Sequence, residues 1–223
     1  MATLPWAIDR EEVLRYLGYR GGALPPEIGD ALSRCEELLQ ETARPRTTWR
    51  LFSLEEDGSL AGTAFRPQGQ VIARLLRDCR QVILMGATLG AEVETLLRRL
   101  QSRDMADAVI LDACASAAIE SVCDSLCEEI ASAVAPSCLT DRYSPGYGDF
   151  PLSQQSELCR VLDLPRRIGV HLTEGALLLP QKTVTALIGV AETPQPMRIR
   201  GCGVCQLSKT CAYRKEGKRC ESF

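Results

Sequence analysis

The segment from 142 to 151, Arg-Tyr-Ser-Pro-Gly-Tyr-Gly-Asp-Phe-Pro, is rich in residue types that recognise ligands. Arg142 opens it with a planar fork of N–H donors that can hold a ligand carboxylate through two hydrogen bonds. Pro145 and Gly146 favour a turn whose backbone groups can face a ligand, and Tyr147 adds a flat surface with a polar tip. The same composition also fits a surface turn with a packed tyrosine, so the residue types alone leave both interpretations open.

Four of the eleven cysteines cluster near the C-terminus with the spacing C-x2-C-x5-C-x8-C: Cys202, Cys205, Cys211 and Cys220. Four thiolates can bind zinc or an iron–sulfur cluster, and neighbouring Lys and Arg side chains favour the thiolate form. A cluster suits a reductive role, whereas zinc suits the folding of a short segment. Redox-active thiols and a tail without metal remain alternatives.

The other candidate chemical groups point to structural roles. The single histidine, His171, lies in an apolar context without a GxSxG elbow, which argues against a serine hydrolase. No Walker A or DxDxDG motif is present, which argues against phosphoryl transfer and an EF-hand. The remaining cysteines are expected to be small buried residues of a protein in a reducing compartment: Cys35, Cys79, Cys114, Cys123, Cys127, Cys138 and Cys159.

Hydrophobic periodicity predicts the elements that position these residues. The apolar run 81–87 predicts a buried strand, and the turn 88–90 leads into a helix over 91–101. Asp104 caps a long Ala-rich helix that is predicted to reach about residue 133. Further helices are predicted at 10–17, 27–42, 70–79 and 153–162, and further strands at 47–54, 60–65, 176–179 and 183–191.

Helices and strands do not alternate strictly, so the sequence predicts an α+β fold. We expect helices packed around a small, mostly antiparallel twisted sheet, followed by a Cys-rich C-terminal tail. Pro194 and Pro196 form a linker. The expected organisation is therefore a domain over 1–193 and a metal- or cluster-binding tail over 194–223.

Charge is distributed unevenly along the chain. The net charge is −3, but the segment 198–223 has seven basic and two acidic residues, so it carries +5 against −8 for the rest. Such a tail can contact an acidic partner, fold back on the acidic body or remain solvated. An acidic body with 5% aromatic residues argues against nucleic-acid binding. Without a long apolar run or a secretory pattern, we expect a cytoplasmic protein with no membrane partner.

The R-x-x-P-G-Y arrangement at 142–147, followed by an acidic residue and a proline, resembles the activation domain of cobalamin-dependent methionine synthase. Three further segments are similar to small stand-alone relatives of that domain. These are 9–19 (DREEVLRYLGY), 82–90 (VILMGATLG) and 179–186 (LPQKTVTA), the last resembling the family's M-P-x-x-S-V-S segment. The resemblance covers roughly residues 5 to 191.

This resemblance implies a protein that binds S-adenosylmethionine and reductively remethylates a corrinoid. Arg142 would hold the methionine carboxylate, Ser144 and Gly146 would supply backbone contacts, and Tyr147 would lie near the reactive face. Cobalamin would be supplied by a partner, either a methionine synthase lacking its own activation domain or another corrinoid protein. A flavodoxin or ferredoxin would donate the electron, since the hard chemistry belongs to the cofactors.

The sequence also departs from the family pattern. Leu179 replaces the methionine, Thr183 and Thr185 replace the serines, and 148–150 replaces a histidine-containing stretch. Folate, homocysteine and cobalamin modules are not expected, so a methyltransferase-type activity would have to act in trans. The alternatives are a non-catalytic adaptor that docks a corrinoid methyltransferase, and a metal-binding regulatory module.

Overall fold

The computed structural model describes residues 4–19, 21, 24–195, 210–215 and 217. In chain order its elements are α1 (Arg10–Tyr16), α2 (Pro26–Thr42), β1 (Arg46–Ser53), α3 (Gln70–Leu75), β2 (Cys79–Thr88), α4 (Ala91–Gln101), α5 (Met105–Ala133), β3 (Cys138–Leu139), a 3-10 turn (Leu152–Gln154), α6 (Gln155–Leu162), α7 (Leu164–Ile168), β4 (His171–Leu172), β5 (Leu178–Leu179), β6 (Thr183–Ala191) and α8 (Ala212–Lys215). The predicted α+β class is confirmed.

An antiparallel sheet with the order β1-β2-β6-β3 organises the fold. β2 and β6 are the two inner strands, and every residue of β2 from Val82 to Thr88 is buried, as the continuous apolar run predicts. Its register places Met85 opposite Trp49 on one side and Ala186 on the other. β4 and β5 form a separate two-stranded hairpin.

A separate hydrophobic core lies on each face of the sheet. Alternation along the strands directs Ile83 and Met85 toward α1, α2, α4 and α5, and directs Val82 and Leu84 toward α3, α6 and α7. The first of these helical layers is dominated by α5, whose Ala113, Ala115, Ala117 and Ala118 are all buried. Small side chains let the neighbouring helices approach α5 closely.

The helix α5 begins where the sequence predicts, because the side chain of Asp104 accepts hydrogen bonds from the backbone N–H groups of Ala106 and Asp107 at 3.0 and 3.1 Å. None of the helices among the described residues combines the length and the apolar character needed to cross a bilayer.

One local prediction was wrong. The segment 60–65 forms turns around Gly62 (φ +71°) rather than a strand, with only an isolated bridge between Leu54 and Leu60. Pro165 lies in the first turn of α7, where its missing N–H costs no hydrogen bond. Most of the tail 194–223 lies outside the described residues, so the boundary between it and the domain 1–193 stays a prediction.

Candidate ligand-binding cleft

A cleft of about 510 Å³ lies between α5, the segment 142–147 and the beginning of β6. It is lined by Glu120, Arg142, Tyr143, Ser144, Pro145, Tyr147, Gln155, Leu178, Thr183, Val184 and Thr185. The cleft therefore combines the predicted ligand loop with the 179–186 segment that the sequence singled out separately.

Two backbone hydrogen bonds attach the loop to the sheet. The N–H of Tyr143 donates to the carbonyl of Leu187, and the N–H of Leu187 donates back to Tyr143, both at 2.9 Å. The Tyr143 ring is buried and stacks with Phe150 at a centroid distance of 6.2 Å. Arg142 is thus held next to an anchored residue rather than at a free loop tip.

The Arg142 side chain is only 7% exposed and is paired with two carboxylates of α5. Its Nη2 donates to Glu120 at 2.5 Å, and its Nη1 donates to Asp124 and contacts the Cys127 sulfur at 3.8 Å. Burial opposes the charge, but Cys123, Asp124 and Glu120 outweigh it and raise the pKa of Arg142 above its ordinary value. The guanidinium is therefore positively charged at every accessible pH.

The turn after Arg142 is closed by its own backbone. Gly146 (φ +92°) donates its N–H to the carbonyl of Phe150 at 2.8 Å, and Tyr147 donates to Ser144 at 3.3 Å. The Tyr147 side chain is 67% exposed at the cleft rim. Gly146 itself does not line the cleft, whereas Arg142, Ser144 and Tyr147 do.

The Gly148-Asp149 pair, where the sequence departs from the family pattern, locks the turn in place. A Cβ on Gly148 would lie 2.3 Å from the Tyr143 hydroxyl, so only glycine fits. The Asp149 carboxylate accepts hydrogen bonds from the N–H groups of Gln70 and Val71 at the start of α3. These contacts connect the turn to the second core.

The part of the cleft wall formed by β6 is polar, and hydrogen bonds hold its side chains in place. Buried Gln155 donates its side-chain amide to the hydroxyl of Thr185 at 2.5 Å. Thr183 donates to the Thr88 hydroxyl at 2.8 Å, and Lys182 pairs with Asp112 of α5 at 2.8 Å. The threonines that replace the family's serines therefore keep hydroxyl groups at these positions.

At Thr185, beside the cleft, the outer edge of β6 accepts and donates no backbone hydrogen bond among the described residues. Leu187 and Gly189 direct their backbone groups to the segment 140–143. Alternate residues of a strand direct their N–H and C=O groups to the same side. The backbone groups of Thr185 therefore point to the same side as those of Leu187, one step past the Leu187–Tyr143 hydrogen bonds. The cleft thus gains a backbone donor and acceptor in addition to its side chains.

Sequence reasoning missed part of this site. Glu120, Gln155 and Thr185 were not identified as site residues. For Glu120 the sequence does carry a signal. It belongs to a polar stripe along one helix face, whose members are spaced by four: Asp112, Ser116, Glu120 and Asp124. Nothing local marks Gln155, whose role depends on packing against β6.

The structure describes one of the four tail cysteines and therefore does not test whether they come together. Cys211 lies at the start of α8, whereas Cys202, Cys205 and Cys220 lie outside the described residues. Within the described ranges, no three His, Cys, Asp or Glu side chains form a group that can hold a metal ion. The metal or cluster site stays a prediction.

No family model and no curated protein matches the chain. Among solved structures, it is similar to one described as the "Crystal Structure of the MetH Reactivation Domain bound to AdoHcy". The TM-score is 0.59 at 13% sequence identity, and the match covers 95% of this chain and 78% of the other. The architecture that the resemblance implies is thereby confirmed, and the chain shares the fold of the MetH reactivation domain.

Proposed function

We propose that this protein binds S-adenosylmethionine in the Arg142 cleft and presents its methyl group to a corrinoid carried by a partner protein. The observation that carries the proposal is the ion-paired guanidinium of Arg142 beside the Glu120 carboxylate in a cleft of about 510 Å³. A solved structure of the same fold is described as bound to AdoHcy, the demethylated form of this ligand, which supports the choice.

The charges of the cleft fit the amino-acid end of the ligand. In the cleft lining, the Arg142 guanidinium and the Glu120 carboxylate cancel. Asp124, which pairs with Arg142 but is not part of the lining, brings the sum to −1. S-adenosylmethionine carries a carboxylate, an ammonium and a sulfonium, which sum to +1. Arg142 would hold the carboxylate, and the exposed sides of Glu120 and Asp124 would attract the two cationic groups.

The open edge of β6 fits the other end of the ligand. Adenine presents an N–H donor and ring-nitrogen acceptors side by side, and the backbone of Thr185 offers an acceptor and a donor in the same cleft. Gln155 holds the Thr185 side chain and so keeps this stretch of strand in place. Recognition through backbone groups tolerates the exchange of serine for threonine at 183 and 185.

The remaining predicted residues act through the turn. Ser144 lies in the cleft wall, whereas Gly146, which does not line the cleft, would hold the turn through its N–H bond to Phe150. Tyr147 at the rim would face the partner that carries the corrinoid. In methyl transfer the sulfonium loses its methyl group to the reduced corrinoid, and S-adenosylhomocysteine leaves.

The tail belongs to the same proposal as a separable unit. Residues 194–223 would hold an iron–sulfur cluster, or zinc, on Cys202, Cys205, Cys211 and Cys220. The cluster would pass an electron from a flavodoxin or ferredoxin to the partner. The spacing of these cysteines and the charge of +5 over 198–223 support this assignment.

The experiment is a reactivation assay with a methionine synthase that lacks its own activation domain. With S-adenosylmethionine and a low-potential reductant, the full chain should convert the partner's inactive cob(II)alamin to methylcobalamin. A chain ending at Thr193 should remain folded but lose this activity. If the full chain docks the corrinoid protein but neither binds S-adenosylmethionine nor remethylates the partner, the non-catalytic adaptor is the correct function. Full activity of the shortened chain would instead remove the electron-transfer role of the tail.

A further inference from the structure

The outer edge of β1 is open to a further strand. β1 is the end strand of the sheet, and near its end Ala61 donates to the Ser53 carbonyl from the outer side. By alternation, the N–H and C=O groups of Thr47, Trp49 and Leu51 also point outward. No backbone group in the described part of the chain hydrogen-bonds to them on that side.

Three arginines form a row beside this edge. Arg46 and Arg50 project from the face of β1 that packs on α7, and both are exposed. Arg167 of α7 donates to the Thr48 hydroxyl at 3.4 Å and so fills the interval between them. Because alternate strand residues are about 7 Å apart, positions 46, 48 and 50 of β1 follow the repeat of a neighbouring strand. The Arg50 guanidinium lies over the Phe52 ring at 5.0 Å and donates to the Val161 carbonyl at 3.0 Å.

These arginines are not neutralised by their surroundings. The carboxylates on the adjacent helices are used by other arginines, Glu157 by Arg160 and Asp163 by Arg166 at 3.6 Å. Within the described ranges, none of Arg46, Arg50 and Arg167 forms an ion pair. A row of uncompensated positive charge is unexpected on a body that carries −8.

The opposite face of the same edge is apolar. Trp49 is half-buried with its indole N–H donating to Glu129 at 3.0 Å, and Leu51 is 40% exposed. A strand added here would therefore meet arginines on one face and apolar side chains on the other.

We propose that the β1 edge is a docking site for an extended segment of a partner protein, in which acidic residues alternate with apolar ones. The segment would pair as a fifth strand with Thr47, Trp49 and Leu51 and direct its carboxylates to Arg46, Arg167 and Arg50. The edge lies two strands away from β6, so docking leaves the Arg142 cleft accessible.

The charges exclude the other occupants. A second copy would place one row of arginines against another, and the chain's own 198–223 tail is itself basic. A phosphate backbone offers acceptors for the N–H groups but no donors for the outward carbonyls of β1. Only a polypeptide strand offers acceptors for the outward N–H groups of β1 and donors for its outward carbonyls.

The test uses a fluorescein-labelled nine-residue peptide of alternating Glu and Val, titrated against the full chain by anisotropy. The same peptide with its central Val replaced by Pro keeps every charge but cannot complete the ladder, and should bind about tenfold more weakly or worse. Arg46→Glu with Arg50→Glu should abolish binding of the Glu-Val peptide and produce binding of a Lys-Val peptide. The matched control Arg99→Glu, an exposed arginine on the opposite helical layer, should leave affinity unchanged.

Three results would overturn the proposal. They are the absence of saturable binding up to about 1 mM peptide, equal affinity for the Pro-containing peptide, and equal affinity for a ten-nucleotide oligothymidylate. The last two would show a surface for polyanions rather than for a strand. S-adenosylmethionine affinity, measured in parallel, should not respond to Arg46→Glu with Arg50→Glu, so the outcome is independent of the proposed function.

Discussion

Two depressions of similar size flank α5, and they differ in what lines them. The Arg142 cleft, at about 510 Å³, contains the buried Arg142 side chain, its partly exposed partner Glu120 and polar strand residues. The second, at about 470 Å³, lies where the start of α5 meets α1 and the loop before α2, and its walls are apolar: Leu14, Leu17, Tyr19, Leu24, Pro25, Ile28, Met105, Ala106, Val109 and Ile110.

Because the two depressions have similar volumes, volume alone does not identify the binding site of a charged nucleoside. Of the two, the Arg142 cleft places charged side chains and strand backbone groups around a concave space. The apolar depression can bury hydrocarbon, but its described lining residues include no charged side chain that could orient a zwitterion. We therefore expect substitutions in the cleft to change S-adenosylmethionine affinity, and substitutions in the depression to leave it unchanged.

The largest effect is expected from Arg142→Ala. It leaves the ligand carboxylate without its charged partner and should weaken S-adenosylmethionine binding by about 2–3 kcal/mol, or about 30- to 150-fold. Titration calorimetry measures the change. Arg34→Ala is the matched control, because Arg34 pairs with Asp107 near the start of α5 but lies outside the cleft. Equal affinity of the Arg142→Ala variant would refute the assignment.

Glu120→Gln should have a smaller and selective effect. Removing this carboxylate takes away attraction for the sulfonium and ammonium groups, so S-adenosylmethionine should bind about 1–2 kcal/mol more weakly. S-adenosylhomocysteine has no sulfonium and should lose less. Competition binding with both ligands gives the comparison, with Glu129→Gln, on the Trp49 side of the same helix, as control. An equal loss for both ligands would mean that Glu120 does not sense the sulfonium.

Gln155→Leu should act through the strand rather than on the ligand directly. It removes the hydrogen bond to the buried Thr185 hydroxyl and should lower the free energy of unfolding by about 1 kcal/mol. Urea denaturation measures this, and affinity should fall only severalfold. An unchanged unfolding midpoint would show that the Gln155–Thr185 bond does not stabilise the cleft wall.

The smallest effect is expected in the apolar depression. Met105→Ser and Val109→Ser replace side chains that are 61% and 52% exposed. Stability should therefore change by no more than about 0.5 kcal/mol, and S-adenosylmethionine affinity should not change. A tenfold loss of affinity in either variant would mean that the ligand occupies the depression and that the comparison between the two regions is wrong.

The sequence predicted the parts of the fold that depend on local pattern. β2 followed from its apolar run, and α5 from the Asp104 cap and its apolar residues. The short strands β3 and β4 were missed because two residues carry no periodicity, and their pairing is decided by contacts distant in sequence. The opposite error occurs at 60–65, where a short sequence pattern predicts a strand and the chain turns at Gly62.

The candidate site was predictable in part. The loop 142–147 was found because arginine, proline, glycine and tyrosine have recognisable chemical roles. The partners of Arg142 were not found, because Glu120 and Asp124 lie about twenty residues earlier and reach it only through the packing of α5. The open backbone of Thr185 follows from strand pairing, which no residue type encodes.

The most direct test of the account is a calorimetric titration of the full chain with S-adenosylmethionine. We predict saturable binding of one ligand per chain, a weaker response to adenosine, which lacks the amino-acid end, and loss of most of the affinity in Arg142→Ala. Absence of saturable heat up to about 1 mM ligand, or equal affinity for adenosine, would contradict the claim that the Arg142 cleft recognises the methionine end of this nucleoside.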